Sequence, residues 1–148
     1  MHTASTPRAI DVLLARYGES HRNPVNELIH IVCIPAIVFS LLGILWALHP
    51  AVALLVVAAA LAYYVTLSRT FALGMGVMAG AMLLVLAMLP DGTVLPTSIG
   101  VFVAAWLGQF VGHHIEGKKP SFFDDLRFLL IGPLFVLSIL YRRIRVAW

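Results

Sequence analysis

Charged residues stop at Glu27, reappear singly at Arg69 and Asp91, and return at Glu116; the positions between them are apolar or weakly polar. Uncharged runs of this length predict membrane-spanning helices, because about 20 apolar residues cross about 30 Å of hydrocarbon. Turn signals divide the stretch into four. Asn23 and Pro24 pair a cap with a first-turn proline, and the helix they open runs into span one, Leu28 to Leu48, bent near Pro35. His49 and Pro50 connect it to span two, Ala51 to Leu67, and Ser68, Arg69 and Thr70 lead into span three, Phe71 to Leu89. After a turn through Pro90, Asp91, Gly92 and Thr93, span four runs from Leu95 to Val111 and continues as helix through Glu116.

Both ends break this pattern. Thr6 as cap, Pro7 at the first position and Ile10, Leu13, Leu14 and Tyr17 at i, i+3, i+4 and i+7 predict a short helix ending at Gly18 and lying in the membrane interface. At the other end Gly117 to Pro120 stop span four, and Ser121 with Asp124 has the spacing of a capping box. The apolar run Leu126 to Tyr141 that follows is short and interrupted by Gly132 and Pro133. Gly76 and Gly80 stand at GxxxG spacing in span three, which reads as ordinary packing within the chain.

Charge then orients the spans. Arg8, Arg16 and Arg22 precede the first, Arg69 follows the second, Lys118, Lys119 and Arg127 follow the fourth, and Arg142, Arg143 and Arg145 lie in the tail, while the first and third loops carry no Lys or Arg. The positive-inside rule gives four crossings with both termini cytoplasmic. A fifth crossing would place the tail arginines outside, so the last helix is expected to be re-entrant or interfacial. The expected architecture is an all-α integral membrane protein of one domain, 1–148. It comprises an interfacial helix and loop (1–22), a four-span core (23–116) and a C-terminal helical segment (121–145).

Composition removes other classes. With 61% hydrophobic and 11% charged residues the chain cannot be a soluble globule. A lone Cys33 supports neither an internal disulfide nor a cysteine-based zinc or iron–sulfur site. The formal charge of +3 arises from few basic residues at the edges of apolar runs, so no nucleic-acid partner is expected.

Candidate chemistry lies in the few polar residues of the spans. Asn26 and His30 share a face at the cytoplasmic end of span one, with His21 in the loop before it. Gln109, His113 and Glu116 share a stripe at the cytoplasmic end of span four, whereas His49 lies at the opposite face. Ionisable groups at a helix centre in a membrane cost about 2.5–3.5 kcal/mol on insertion scales, so three histidines and a glutamate at one depth point to a site. Imidazole and carboxylate ligands suit non-haem iron(II), with zinc the next candidate. The histidines on this side, His21, His30, His113 and His114, support no more than a mononuclear centre. Asn26 and Gln109 either hydrogen-bond the imidazoles and fix their tautomers or tie helices together. Two other readings use the same residues: a b-type haem with His30 and His113 as axial ligands, and a non-enzymatic membrane protein whose polar stripe glues helices.

The stretch Tyr17-Gly-Glu-Ser-His21-Arg-Asn-Pro24-Val-Asn26-Glu-Leu-Ile-His30 with Ile34-Pro35, and the stretch Trp106-Leu-Gly-Gln109-Phe-Val-Gly112-His113-His-Ile-Glu116-Gly-Lys-Lys-Pro120 with Gly132-Pro133-Leu134, together resemble the MPO-type 2-hydroxy fatty acid dioxygenases, a family of small membrane proteins. The resemblance implies an iron(II)-dependent enzyme that uses O2 to shorten a 2-hydroxy fatty acid by one carbon. It implies His21, His30 and His113 as metal ligands and places Glu116 at the family's acidic position; in the mechanism this suggests, Glu116 is a candidate to complete the ligand set or take the hydroxyl proton, and His114 is a candidate additional ligand. Arg22, Lys118 and Lys119 become candidates for attracting the substrate carboxylate, with the acyl chain among membrane lipid and apolar helices. The compact chain is similar to bacterial members, which implies the bacterial cytoplasmic membrane.

Overall fold

A computed structural model describes residues 7–90 and 92–148. The elements are α1 (Ala9–Gly18), α2 (Pro24–Leu48), α3 (Pro50–Leu67), α4 (Arg69–Met88), α5 (Val94–Glu116), a 3-10 turn (Ser121–Phe123) and α6 (Phe128–Ile144). The described residues contain no strand, and α2, α3, α4 and α5 are long and apolar enough to cross a membrane.

The connections form as their residues dictate. The Asn23 side chain accepts from the Val25 N–H at 2.9 Å, His49 Nδ1 from Ala51 N–H at 3.1 Å and Ser68 Oγ from Phe71 N–H at 3.4 Å. Each satisfies an N–H that the first turn of a helix leaves without a partner. This is the role of His49. Gly117 closes α5 in the left-handed conformation, φ 72°, which glycine adopts without steric cost.

The starts of α1 and α6 differ from the expected pattern. Arg8 is the N-cap of α1 and has no side-chain cap bond, so Pro7 precedes the helix; Thr6 lies outside the described residues. Ser121 is buried in the 3-10 turn with its hydroxyl unpaired, and α6 begins only at Phe128, where Asp125 accepts from the Arg127 N–H at 2.9 Å.

Close packing concentrates between α2 and α5, and small residues explain it. A Cβ on Gly108 would stand 2.6 Å from Cys33 Sγ, one on Gly112 would strike Asn26 Oδ1, and one on Gly43 would strike Ser98 Oγ. Gly80, by contrast, has nothing within 4 Å and Gly76 meets only Leu61 at 3.8 Å, so the GxxxG pair of α4 marks no close helix contact, whereas Gly108 and Gly112 of α5, at the same spacing, do.

α6 does not carry the chain to the other end of the bundle. Its Tyr141 hydroxyl donates to the Thr70 carbonyl at 2.8 Å, and Trp148 packs on Phe71 with ring centroids 5.3 Å apart; both partners are in the first turn of α4. Gly117 lies at that same end, because α2 to α5 alternate in direction across short connections. Between these points the chain dips inward, with Phe122 edge-on to Trp106 at 5.2 Å. Trp106 lies about 15 Å along α5 from its end, at about 1.5 Å per residue. The stripe Ile10, Leu14 and Tyr17 of α1 packs against Phe128, Ile131, Leu134 and Phe135 of α6. Leu28, Val32, Leu73 and Leu84 remain exposed on the outer surface of the spans, as lipid contact requires.

Candidate metal centre

α1 and α2 meet at a tight corner that places His21 over the first turns of α2. Tyr17, on the last turn of α1, stacks its ring on His21 with centroids 4.3 Å apart and planes at 8°. His21 Nδ1–H donates to the Tyr17 carbonyl at 2.7 Å, and His30 Nδ1–H donates to the Asn26 carbonyl at 3.0 Å. A carbonyl only accepts, so these bonds assign the proton to Nδ1 and leave an Nε2 lone pair on each ring. The two Nε2 atoms face each other at 2.8 Å. Two lone pairs at that separation repel unless a cation or a proton lies between or beside them.

α5 brings the third ring. The His113 centroid lies 5.2 Å from His21 and 4.9 Å from His30, and one nitrogen from each of the three rings falls within 4.8 Å of the others. All are buried, at 3%, 1% and 5% exposure. Burial pushes the pKa of His21 below the usual imidazole value, against the opposing pull of the Tyr17 carbonyl and the Glu116 charge. A neutral ring with a free Nε2 is the form a metal ligand requires. Three imidazole nitrogens gathered in this way are a donor set suited to a single divalent ion. It does not fit a haem between His30 and His113, because the His21 ring stands against His30 Nε2 where a porphyrin would lie.

Glu116 is committed elsewhere. Its carboxylate accepts from Arg22 N–H at 3.0 Å, Asn23 N–H at 2.8 Å and Asn26 Nδ2 at 3.1 Å. The anion therefore sits at the N-terminus of α2, where unpaired N–H groups and the helix dipole favour negative charge. It ties the end of α5 to the start of α2, the helices that carry His113 and His30.

The His21 and His30 tautomers are held by backbone carbonyls and not by the amide side chains of Asn26 and Gln109, while His113 Nδ1 is buried without a partner. Asn26 spends its Nδ2 on the Ser20 carbonyl and Glu116, while Gln109 Nε2 is buried and unpaired. His114 is exposed and outside the three-histidine group, because one step along a helix turns a side chain about 100° away. Arg22, Lys118 and Lys119 are all exposed, and Lys118 Nζ donates to the Glu19 carbonyl at 2.8 Å. Lys118 and Lys119 border an open depression of about 410 Å³ that reaches His113 and His114.

His30 and His113 also face inward onto a cavity of about 110 Å³, walled by Tyr17, Trp106, Gln109, Ser121 and apolar side chains. Four of the residues lining it carry a buried polar atom without a partner: Trp106 Nε1, Gln109 Nε2, Ser121 Oγ and His113 Nδ1. The sequence carries a signal for Trp106, which precedes Gln109 by three on the same stripe, whereas the spacing of Ser121 to Asp124 predicts a cap and gives no sign of the cavity.

Fold and site together define an integral membrane helical protein with a buried three-imidazole centre at one end of its bundle. Residues 8–144 match the Mpo1-like family, described as 2-hydroxy-palmitic acid dioxygenase Mpo1-like, and the chain belongs to that family. It is similar to the 2-hydroxy-palmitic acid dioxygenase MPO1 of Saccharomyces cerevisiae, with 34% identity over 134 residues, 84% of this chain and 75% of the relative. No solved structure matches the chain.

Proposed function

We propose that this protein is an iron(II)-dependent dioxygenase that shortens 2-hydroxy fatty acids by one carbon. The observation that carries the proposal is the convergence of three buried imidazoles, two with Nε2 atoms 2.8 Å apart, in a chain related to a 2-hydroxy-palmitic acid dioxygenase. The reaction balances without another reductant. A 2-hydroxy acid and O2 give the acid one carbon shorter, CO2 and water; the C1–C2 bond breaks, and the four electrons lost at C1 and C2 are those that O2 accepts.

Iron(II), when bound, supplies the redox chemistry that activates dioxygen. His21, His30 and His113 would hold it, and the carbonyls of Tyr17 and Asn26 orient two of the rings. Glu116 acts as a positioning residue through the α2 N-terminus. Apolar walls around the cavity exclude water from the reacting carbons. The cavity shares Val38, Leu41, Leu129 and Pro133 with a larger apolar cleft of about 290 Å³ that runs along α2 toward α3 and α4, and this cleft takes the acyl chain. In our reading the whole chain is one membrane domain, and the centre lies at the cytoplasmic face of a bacterial inner membrane with both termini on that side.

Product mass spectrometry tests the proposal. Purified protein loaded with iron(II) is expected to convert 2-hydroxypalmitate and O2 into pentadecanoic acid, and the His30→Ala variant is expected not to. Absence of the shortened acid from a fully loaded wild-type protein would reject this reaction.

A further inference from the structure

We infer that the acid end of the substrate is received inside the cavity by the side chains of Trp106, Gln109 and Ser121, and not by the lysines of the outer rim. The inference rests on the proposed function and specifies which residues of the same site recognise the carboxylate.

Three buried donors lack acceptors. Trp106 Nε1, Gln109 Nε2 and Ser121 Oγ are buried and unpaired, and all three residues line the cavity that His30 and His113 also face. Gln109 is 3% and Ser121 6% exposed. An unsatisfied buried polar group costs about 1–3 kcal/mol, and native proteins leave few of them. Three on residues that line one cavity therefore indicate a ligand that supplies oxygen acceptors once these side chains turn toward it. An indole N–H only donates, and an amide NH2 and a hydroxyl can donate beside it, which matches a carboxylate.

The backbone supports the same placement. Trp106 and Gln109 lie three apart on α5, and Ser121 reaches the cavity because the chain after Gly117 folds back inward, where Phe122 packs edge-on against Trp106 at 5.2 Å. The remaining wall is apolar and continues into the cleft beside α2. His30 and Leu45 are separated by about 22 Å along α2, comparable to a long saturated acyl chain. A substrate with its tail in this cleft presents its acid end to the histidines and the three donors. The depression bordered by Lys118 and Lys119 lies outside this cavity and shares only His113 and Pro120 with it.

Binding to iron(II)-loaded protein under argon tests the inference without turnover. The probes are 2-hydroxypalmitate and the diol of the same chain length, which keeps the hydroxyl and lacks the carboxylate. Wild-type protein is expected to prefer the acid. Gln109→Leu, Ser121→Ala and the shape-conserving Trp106→Phe are each expected to reduce that preference about tenfold, the effect of about 1.4 kcal/mol, with diol affinity and iron content unchanged. Lys118→Ala and Lys119→Ala are expected to leave the preference intact. A purely structural role would weaken acid and diol alike. Preference retained in the three cavity variants, or lost in the lysine variants instead, overturns the inference and leaves the proposed function standing. A wild-type protein that binds the acid no better than the diol overturns both.

Discussion

His21 Nε2 and His30 Nε2 face each other at 2.8 Å, although the two residues belong to different elements and each ring is tethered at Nδ1 to the carbonyl four residues before it. The arrangement repeats one local device twice. In each case the tether uses an acceptor that the backbone always provides, and it turns the other nitrogen toward the shared centre. The α1–α2 corner then determines whether the two lone pairs meet, and Glu116 holds that corner against α5.

Glu116→Gln is expected to weaken metal affinity about 10–100-fold, the usual consequence of losing a group that orients ligands. The carboxylate accepts from three N–H groups, and an amide would turn its own NH2 toward one of them. Metal titration of the two proteins, with a thermal melt to confirm that the variant folds, checks this. Unchanged affinity would show that the bridge does not position the histidines.

Gly112→Ala and Gly80→Ala are expected to act in opposite directions. A methyl group at Gly112 strikes Asn26 Oδ1, and overpacking of this kind costs about 1–3 kcal/mol. A methyl at Gly80 meets nothing within 4 Å, so alanine should be neutral or stabilise by up to about 1 kcal/mol through helix propensity. Denaturant or thermal unfolding in micelles reads both, and equal effects would contradict the α2–α5 contact described above.

Single cysteines at Lys119 and Arg145 are expected to react from the same side of the membrane, and one at Thr93 from the other. A Cys33→Ala background removes the native thiol, and a membrane-impermeant maleimide applied to intact cells should label only the Thr93 site. Labelling of the Arg145 site together with Thr93 would mean that α6 crosses.

The four long helices and the three histidines were legible in the sequence for a common reason. Charge-free runs bounded by Asn23-Pro24, His49-Pro50 and Ser68 have few alternatives in a membrane, and helical spacing places His30 and His113 at matching depths. Atomic partners were less legible. Spacing placed Asn26 beside His30, but the backbone carbonyl of Asn26 holds the ring while its side chain serves Glu116. Ser121 had the spacing of a cap, but the chain there turns inward and buries it. Apolar residues gave little guidance on packing, because lipid and protein accept the same side chains: Val32 is 64% exposed and Ile37 is 8% exposed. The close approaches at Gly108 and Gly112 likewise carried no signal that set them apart from Gly76 and Gly80.

Three imidazoles, from the α1–α2 corner, α2 and α5, are proposed to hold one metal ion. Counting iron per chain after anaerobic loading, with X-ray absorption to identify the ligand atoms, tests this proposal most directly. One iron per wild-type chain with imidazole nitrogen among its ligands is expected, and loss of that iron in His21→Ala, His30→Ala and His113→Ala alike. Full occupancy in those variants, or no iron in the folded wild-type protein, would contradict it.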